Sequence, residues 1–535
     1  MKTLEEIFKK LNEYQKEAVI DESPATLVNA NVGSGKTTVL ISKVFYQHFH
    51  KGIDFRDMVV LTFTNKAAAE IKKRIMDADA NIKHEDMPYF GTFHSVALKM
   101  LKTILPVAHL GYTTDFTVMD PDELFEMAVE LIVENGFKIK YKNKLNKRFE
   151  GLKAGSAAYA SMKYNDDIEA LWDAVCMEKK KQNKMDFDDL IMHAKQLLER
   201  VTFSPKWIII DEFQDCDENQ LEFIKALMCE ETKIFAVGDP NQIIYTWRGS
   251  KRNIFGEFKK EYAARELTLP VNYRSSTTIL EAAKCFLSAG TELLGTREIG
   301  RPITVLNHYD PFNEADYLAD KIGKLHESGV CYKDITVFYR MQKQSKVIEE
   351  VFNRGGIPFE VSVRKTLTDI PVLRWYVNLL KASVNESDTS NLVSVLNDKT
   401  FGENLTKSKI KKIVHDKSDE SSKLCNKIRG FESRSLKPIT AHDIYDYFNL
   451  DSYLSPTSIS YEENKGYVLS LTDKILGYTT YKGCSIVEGI KEFINSSALY
   501  GADILKEDIH STEDSVKLMT LHACKGLGFN ALEFL

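Results

Sequence analysis

The sequence predicts an α/β fold in which parallel strands are followed by helices, and three stretches of the chain support this prediction. Residues 26–40, TLVNANVGSGKTTVL, place a glycine-rich turn between an apolar strand-like run and an apolar helical pattern. Residues 206–215, KWIIIDEFQD, form a continuous apolar run that ends in acidic residues, which is typical of a buried parallel strand. Residues 332–361 have the outline of a strand, a helix and a strand.

Length and composition are those of an ordinary globular protein with several domains. The chain has 535 residues, of which 43% are hydrophobic and 28% are charged. It contains no apolar run of the roughly 18–20 residues that a membrane span requires, and its first residues lack the pattern of a secretory signal. The eight cysteines are scattered without a C-x-x-C pair, which argues against a zinc or iron–sulfur site and for a reducing compartment. A cytoplasmic protein without a membrane partner is therefore predicted.

The net charge of −6 does not by itself indicate nucleic-acid binding. Net charge averages over the surface, however, and a local basic groove is sufficient to bind phosphates. Basic clusters occur at 138–148, 178–184 and 407–417. Each cluster, taken alone, is interpreted as a solvated helix face.

The glycine-rich turn has the pattern of a phosphate-binding P-loop with Ala in place of the first Gly. Glycines allow successive backbone N–H groups to turn toward phosphates at a helix N-terminus, whose dipole favours anions. Lys36 is expected to reach the β- and γ-phosphates, and the Thr37 hydroxyl is expected to coordinate Mg²⁺. The predicted nucleotide-binding residues of this loop are Ala30, Asn31, Val32, Gly33, Ser34, Gly35, Lys36, Thr37 and Thr38.

The two carboxylates after the second apolar run complete the predicted chemistry. Open α/β sheets bind ligands at the carboxyl ends of their strands, where Asp211 and Glu212 stand. Asp211 is expected to hold Mg²⁺, and Glu212 is expected to orient and deprotonate the attacking water. The P-loop and this acidic pair together predict a nucleoside triphosphatase with a parallel sheet.

Five further stretches narrow the prediction: LNEYQKEAV (11–19), LTFTNKAAAEIKKRI (61–75), GTFHSVALKML (91–101), VGDPNQIIYTWRGS (237–250) and LTLPVNYRSS (267–276). In their order along the chain and in their amino-acid sequences, they resemble the motifs of the UvrD/PcrA/Rep family of superfamily 1 DNA helicases. The resemblance implies a P-loop NTPase fold with RecA-like parallel-sheet motor domains and helical insertion domains. It also implies an ATP-dependent single-stranded DNA translocase or helicase of 3′→5′ polarity, which uses ATP and Mg²⁺ and acts on single strands and single-strand/duplex junctions.

The resemblance assigns roles to residues of these stretches. Gln15 corresponds to the glutamine that contacts adenine, and Tyr273 to the aromatic that stacks on it. Arg274 corresponds to an arginine finger, Gln242 to the γ-phosphate sensor, and Arg248 lies beside that sensor. The residues that correspond to the single-strand track are Phe63, Thr92, His94, Tyr245 and Trp247. Core packing remains an alternative for Tyr245 and Trp247, as does a structural role for His94.

The resemblance also predicts the division of the chain. Residues 1–105 and 195–277 are expected to form the first motor domain, with a helical insertion at 106–194. Residues 278–374 and 509–535 are expected to form an incomplete second motor domain, interrupted by a helical accessory domain at 375–508.

The last residues, 514–535, resemble the segment by which the chain returns to the second motor domain. His522, Lys525 and Gly526 fit the family pattern, whereas Gly528 replaces a Glu. These observations suggest a C-terminally truncated family member. A non-unwinding remnant that binds ATP and DNA, or a regulatory subunit completed by a partner, is therefore the alternative function.

Overall fold

The computed structural model describes residues 8–154, 166–243, 253–287, 291–361, 370–416, 421–431, 440–482, 485–500, 514–521 and 531–534. The strands are β1 (Ala25–Ala30), β2 (Met58–Thr62), β3 (Phe90–Thr92), β4 (Thr117–Val118), β5 (Lys184–Met185), β6 (Trp207–Ile210), β7 (Lys233–Gly238), β8 (Arg265–Leu269), β9 (Val271–Asn272), β10 (Leu294–Gly295), β11 (Ile335–Tyr339), β12 (Phe359–Val361), β13 (Val516–Thr520) and β14 (Ala531–Phe534).

The helices of the first half are α1 (Glu13–Ile20), α2 (Lys36–Phe45), α3 (Asn65–Ala78), α4 (Phe93–Thr103), α5 (Pro121–Asn135), α6 (Leu145–Ala154), α7 (Ile168–Lys181), α8 (Phe187–Leu198), α9 (Glu218–Leu227) and α10 (Ile254–Glu261). The helices that follow are α11 (Thr277–Lys284), α12 (Pro311–Glu327), α13 (Ser345–Arg354), α14 (Pro371–Val384), α15 (Thr389–Asn397), α16 (Lys407–His415), α17 (Lys423–Arg429), α18 (Ala441–Phe448), α19 (Asp451–Leu454), α20 (Tyr461–Lys482) and α21 (Ile486–Tyr500).

The chain forms two compact units, Met1–Val96 with Thr202–Arg364 and Lys506–Leu535, and Ala97–Val201 with Lys365–Leu505. The first unit contains a six-stranded sheet in the order β3-β2-β6-β7-β1-β8, whose neighbours are all parallel. Every residue of β2 and β6 is buried, as expected for the central strands of a parallel sheet covered on both faces. The predicted α/β fold class is confirmed. The finer division into four domains stays a prediction.

The same unit contains a four-stranded sheet in the order β12-β13-β11-β14, again with parallel neighbours. The strand–helix–strand pattern predicted for 332–361 is confirmed as β11, α13 and β12. Helices α12 and α13 bury Leu318, Ile322 and Phe352 against this sheet, where Val337 and Leu518 complete the core.

The second unit is mainly helical and has charged side chains in its interior. Lys184 of β5 lies 2.6 Å from Glu123 and 2.5 Å from Asp388, and Lys381 of α14 lies 2.7 Å from Glu123. All four residues are buried. Charges removed from water require partners of opposite sign, so this network joins the 97–201 and 365–505 segments of the unit.

The interpretation of the basic clusters as solvated helix faces is wrong for three of their residues. Lys179, Lys184 and Arg148 are buried, and each forms an ion pair inside the second unit. Their partners are the carboxylates of Asp189, Glu123 and Asp166, which lie between 10 and 61 positions away in the chain, so a count of local charges does not reveal the pairing. Lys180 and Lys181, which lie between Lys179 and Lys184 in the chain, are exposed, in agreement with the prediction.

In the part of the chain that the structure describes, no helix is both long enough and apolar enough to cross a membrane.

Candidate active site

Most of the predicted site residues that the structure describes follow strands of the six-stranded sheet, at the edge formed by the carboxyl ends of these strands. Because all neighbours in this sheet are parallel, the carboxyl ends of its strands lie on the same side. Strand β7 lies between β1 and β6, and the register pairs Asn29 with Gly238 and Ile210 with Ala236. The P-loop after β1, the carboxylates after β6 and the turn after β7 therefore meet at the centre of this edge.

The P-loop has the backbone geometry that its glycines predict. Gly33 and Gly35 have φ angles of 66° and 83°, a region that side chains disfavour, and α2 begins directly afterwards at Lys36. A Cβ at Gly33 would lie 2.6 Å from Asn272 Nδ2. The Ser34 hydroxyl is buried and has no hydrogen-bond partner among the described residues. A helix N-terminus with an unsatisfied buried hydroxyl fits an anionic ligand.

The carboxylate pair lies in a strained turn next to the P-loop lysine. Asp211 is buried, and Glu212 has a left-handed backbone with φ 49° and ψ 44°. Such a conformation is uncommon for a residue with a side chain and often marks a functional site. Lys36 Nζ lies 3.4 Å from Glu212 Oε2.

The charge state of Asp211 reflects this environment. Burial raises the pKa of Asp211 to about 7, the charge of Glu212 acts in the same direction, and Lys36 opposes both. Bound Mg²⁺ commonly has one or two protein carboxylates, with substrate phosphates and water as its other ligands. Asp211 and the Thr37 hydroxyl in the first turn of α2 have the chemistry of that partial ligand set.

Gln15 and Tyr273, the two residues predicted to contact adenine, both lie next to the P-loop. Gln15 is buried at the start of α1, and its Nε2 donates to the Ser34 carbonyl at 2.9 Å. Asn12, the N-cap of this helix, donates from Nδ2 to the Tyr273 hydroxyl at 2.7 Å. The Tyr273 N–H donates to the Gly33 carbonyl at 3.0 Å. Tyr273 is 42% exposed, as expected for a residue that is available to a ligand.

Asn272 connects the segment after β8 with the P-loop. Its Nδ2 donates to the Val32 carbonyl at 2.6 Å, while its Oδ1 accepts from the Arg274 N–H at 2.8 Å. The predicted arginine finger is therefore attached through its backbone to the phosphate-binding loop. Sequence reasoning assigned no role to Asn12 or Asn272. The Asn-x-x-Gln capping pattern at 12–15 was the one local signal available for Asn12.

The remaining predicted residues divide into two groups. Gln242 ends a short 3₁₀ turn after β7, and Phe63 and Thr92 stand at the ends of β2 and β3, which the pairing of Thr62 with Thr92 brings side by side. His94 is the second residue of α4 and is half-buried. Tyr245, Trp247 and Arg248 lie outside the described residues, as do His522, Lys525, Gly526 and Gly528.

Two protein-family models match consecutive parts of the chain. The UvrD/REP helicase N-terminal domain matches residues 11–263, and the UvrD-like helicase C-terminal domain matches residues 267–438. The chain belongs to the UvrD/Rep family of ATP-dependent DNA helicases. The family predicted from the sequence motifs is thereby confirmed.

Relatives within this family are similar over nearly the whole chain. A probable DNA helicase II homolog of Mycoplasma capricolum is 28% identical over 97% of this chain and 77% of its own length. The ATP-dependent DNA helicase Rep of Buchnera aphidicola is 28% identical over 98% of this chain and 88% of its own length. The ATP-dependent DNA helicase PcrA of Staphylococcus aureus is 25% identical over 97% of this chain and 76% of its own length.

Proposed function

We propose that this UvrD/Rep-family chain hydrolyses ATP with Mg²⁺ and uses the free energy to move 3′→5′ along single-stranded DNA and to separate strands at single-strand/duplex junctions. The observation that carries the proposal is the shared sheet edge. There the P-loop, the Asp211–Glu212 carboxylates, Gln242 and the segment from Asn272 to Arg274 converge.

ATP is held by three groups of contacts. The P-loop N–H groups, the Ser34 hydroxyl and Lys36 bind the phosphates. Tyr273 stacks on the adenine, and Gln15 contacts its edge. The hydrogen bonds from Gln15 to Ser34 and from Tyr273 to Gly33 fix the base site relative to the phosphate site.

Hydrolysis depends mainly on stabilising charge at the γ-phosphate. Lys36, Arg274 and Arg248 supply positive charge, and Glu212 orients the attacking water and accepts its proton. Mg²⁺, held by Thr37 and Asp211, would neutralise charge on the β- and γ-phosphates. Gln242 contacts the γ-phosphate and transmits its presence to the DNA-binding loops.

Single-stranded DNA binds along the same sheet edge, on the side of β2 and β3. Flat aromatic faces bind bases without sequence preference, at roughly 1–3 kcal/mol per stacked base. We assign Phe63, Tyr245 and Trp247 to stacking and Thr92 and His94 to polar contacts with the strand.

Lys36→Ala is the direct test. Replacing Lys36 should reduce ATP hydrolysis to background, with and without single-stranded DNA, because this variant lacks the lysine charge at the β- and γ-phosphates. Lys324→Ala, which removes a lysine that is 70% exposed on α12, is the matched control and should hydrolyse ATP normally. ATP turnover by Lys36→Ala equal to that of the control would refute the assignment.

Polarity is measured with partial duplexes, and only a substrate with a 3′ single-stranded tail should be unwound.

A further inference from the structure

Gln214 occupies an unusual place between the carboxylate pair and the strand beside it. It belongs to the short 3₁₀ turn Phe213–Asp215 that directly follows Glu212, and it is completely buried. Its Nε2 donates to Glu212 Oε2 at 2.7 Å, and its Oε1 accepts from the Asp239 N–H at 2.9 Å. One side-chain amide thus joins the loop after β6 to the loop after β7.

The connection continues on the other side of Asp239. Its Oδ2 accepts from Gln242 Nε2 at 2.7 Å, and its Oδ1 accepts from the Asn241 N–H at 2.9 Å. Glu212, Gln214, Asp239 and Gln242 therefore form a continuous series of hydrogen bonds. The series runs from Glu212, the residue predicted to deprotonate the attacking water, to Gln242, the predicted γ-phosphate sensor.

The chemistry of this position favours glutamine. The contact with Glu212 requires a donor, and the contact with Asp239 requires an acceptor, and an amide supplies both from one group. A neutral donor also holds a carboxylate in place without neutralising its charge. The backbone permits the approach because residue 238 is Gly: a Cβ there would lie 2.5 Å from Gln214 Oε1.

We propose that Gln214 is a positioning residue that directs the Glu212 carboxylate toward the attacking water and couples its orientation to that of Gln242. Lys36 Nζ lies 3.4 Å from the same oxygen, Glu212 Oε2, so loss of the Gln214 contact would let the lysine draw this oxygen toward itself. The inference rests on the proposed role of Glu212. Hydrogen-bonding partners that orient metal ligands typically contribute about 10–100-fold to metal affinity or activity, and we expect an effect of the same size from a partner that orients a catalytic carboxylate.

The decisive experiment is a double-mutant cycle between Gln214→Glu and Glu212→Gln in the full chain. Gln214→Glu keeps the acceptor for Asp239 but presents a carboxylate instead of a donor to Glu212. We expect kcat for DNA-stimulated hydrolysis to fall by about 10–100-fold with little change in KM for ATP. In the Glu212→Gln background the same substitution should have no further effect on the single-turnover rate, because the side chain that Gln214 positions is already inactive.

The swapped pair, Glu212→Gln with Gln214→Glu, separates positioning from folding. The amide introduced at position 212 can donate to the carboxylate introduced at position 214, so thermal stability should recover relative to Gln214→Glu alone while hydrolysis stays low. Gln220→Glu is the matched control, since Gln220 is a buried glutamine whose side chain accepts from the Asp217 N–H at the start of α9. It should have normal kinetics.

Four outcomes would overturn the inference. The first is an unchanged kcat in a folded Gln214→Glu variant, and the second is an equal loss in both backgrounds of the cycle. A normal rate in Glu212→Gln would instead refute the proposed role of Glu212, and the inference would fall with it. If Gln214→Glu does not fold, Gly238→Ala is the second variant. Its Cβ would lie 2.5 Å from Gln214 Oε1 and 2.9 Å from the Phe255 ring, so the Gln214 side chain must move and kcat should fall in the same manner. A normal kcat in folded Gly238→Ala would likewise refute the inference.

Discussion

Among single residues, Asn12 links the start of helix α1 to the side chain of Tyr273. Its Oδ1 accepts from the Gln15 N–H at 2.8 Å, and its Nδ2 donates to the Tyr273 hydroxyl. The predicted adenine-contacting glutamine and the predicted stacking aromatic are thus held by one amide. Because Asn12 and Tyr273 are 261 positions apart in the chain, no local pattern could predict this contact.

Tyr273→Phe tests the contact while it keeps the aromatic ring. We expect KM for ATP to rise about 2–10-fold with kcat unchanged, since one net hydrogen bond is worth about 0.5–1.5 kcal/mol and the ring orientation matters for binding. Asn12→Ala should raise KM similarly and also lower thermal stability, because an N-cap contributes about 1 kcal/mol. Thr406→Ala removes the N-cap of α16 and controls for capping alone. Wild-type ATP binding by Tyr273→Phe would exclude the contact from the base site.

Among the helices and strands, those that the sequence predicts are the ones whose pattern lies within one continuous stretch of the chain. Strand β1, the P-loop and helix α2 follow one another in the chain, so apolar periodicity and glycine placement predict all three. The charged interior of the second unit was not predictable. Lys184 and Lys381 meet at Glu123 from segments that are far apart, and Lys184 stands in a lysine-rich stretch that is typical of a solvated surface.

Lys381→Met tests how strongly this network joins α14 to α5. The substitution leaves the Glu123 carboxylate buried with Lys184 as its charged partner but without the 2.7 Å contact to Lys381. Removal of one member of a buried ion pair typically costs about 3–5 kcal/mol. Urea unfolding of the full chain should show a loss of this order. Lys407→Met, which breaks an exposed pair with Glu130, should cost no more than about 1 kcal/mol. Equal effects would show that the buried network does not stabilise the unit.

The same network predicts how stability depends on pH. Burial alone would raise the pKa of Glu123, but the charges of Lys184 and Lys381 outweigh it and hold that pKa well below its usual value. A carboxyl with a depressed folded pKa contributes stability above its unfolded pKa of about 4.3 and loses it as pH falls further. Urea midpoints should therefore decrease below about pH 4.5, and the decrease should be smaller in Glu123→Gln. An identical pH dependence in both proteins would contradict the assignment.

The whole molecule carries a net charge of −6, which repels DNA, although DNA binding is its proposed function. Binding to a polyanion releases counterions from each neutralised phosphate, so affinity should fall steeply as salt rises even though the protein is acidic overall. Stacking of bases on aromatic rings releases no counterions. The two contributions can therefore be separated by measuring affinity at several salt concentrations.

Phe63→Ala and Trp247→Ala test the contribution of base stacking separately from that of the phosphate contacts. Each should weaken binding of an oligonucleotide by about 1–3 kcal/mol if its ring stacks on a base. The slope of log affinity against log salt should match that of the wild type, because the phosphate contacts remain. Tyr309→Ala, which removes an aromatic residue that is 96% exposed and not predicted to contact DNA, should alter neither quantity. Normal DNA affinity combined with a lower melting temperature in Trp247→Ala would show that this ring packs in the core. A changed salt slope would show that the substitution disturbs the phosphate contacts instead.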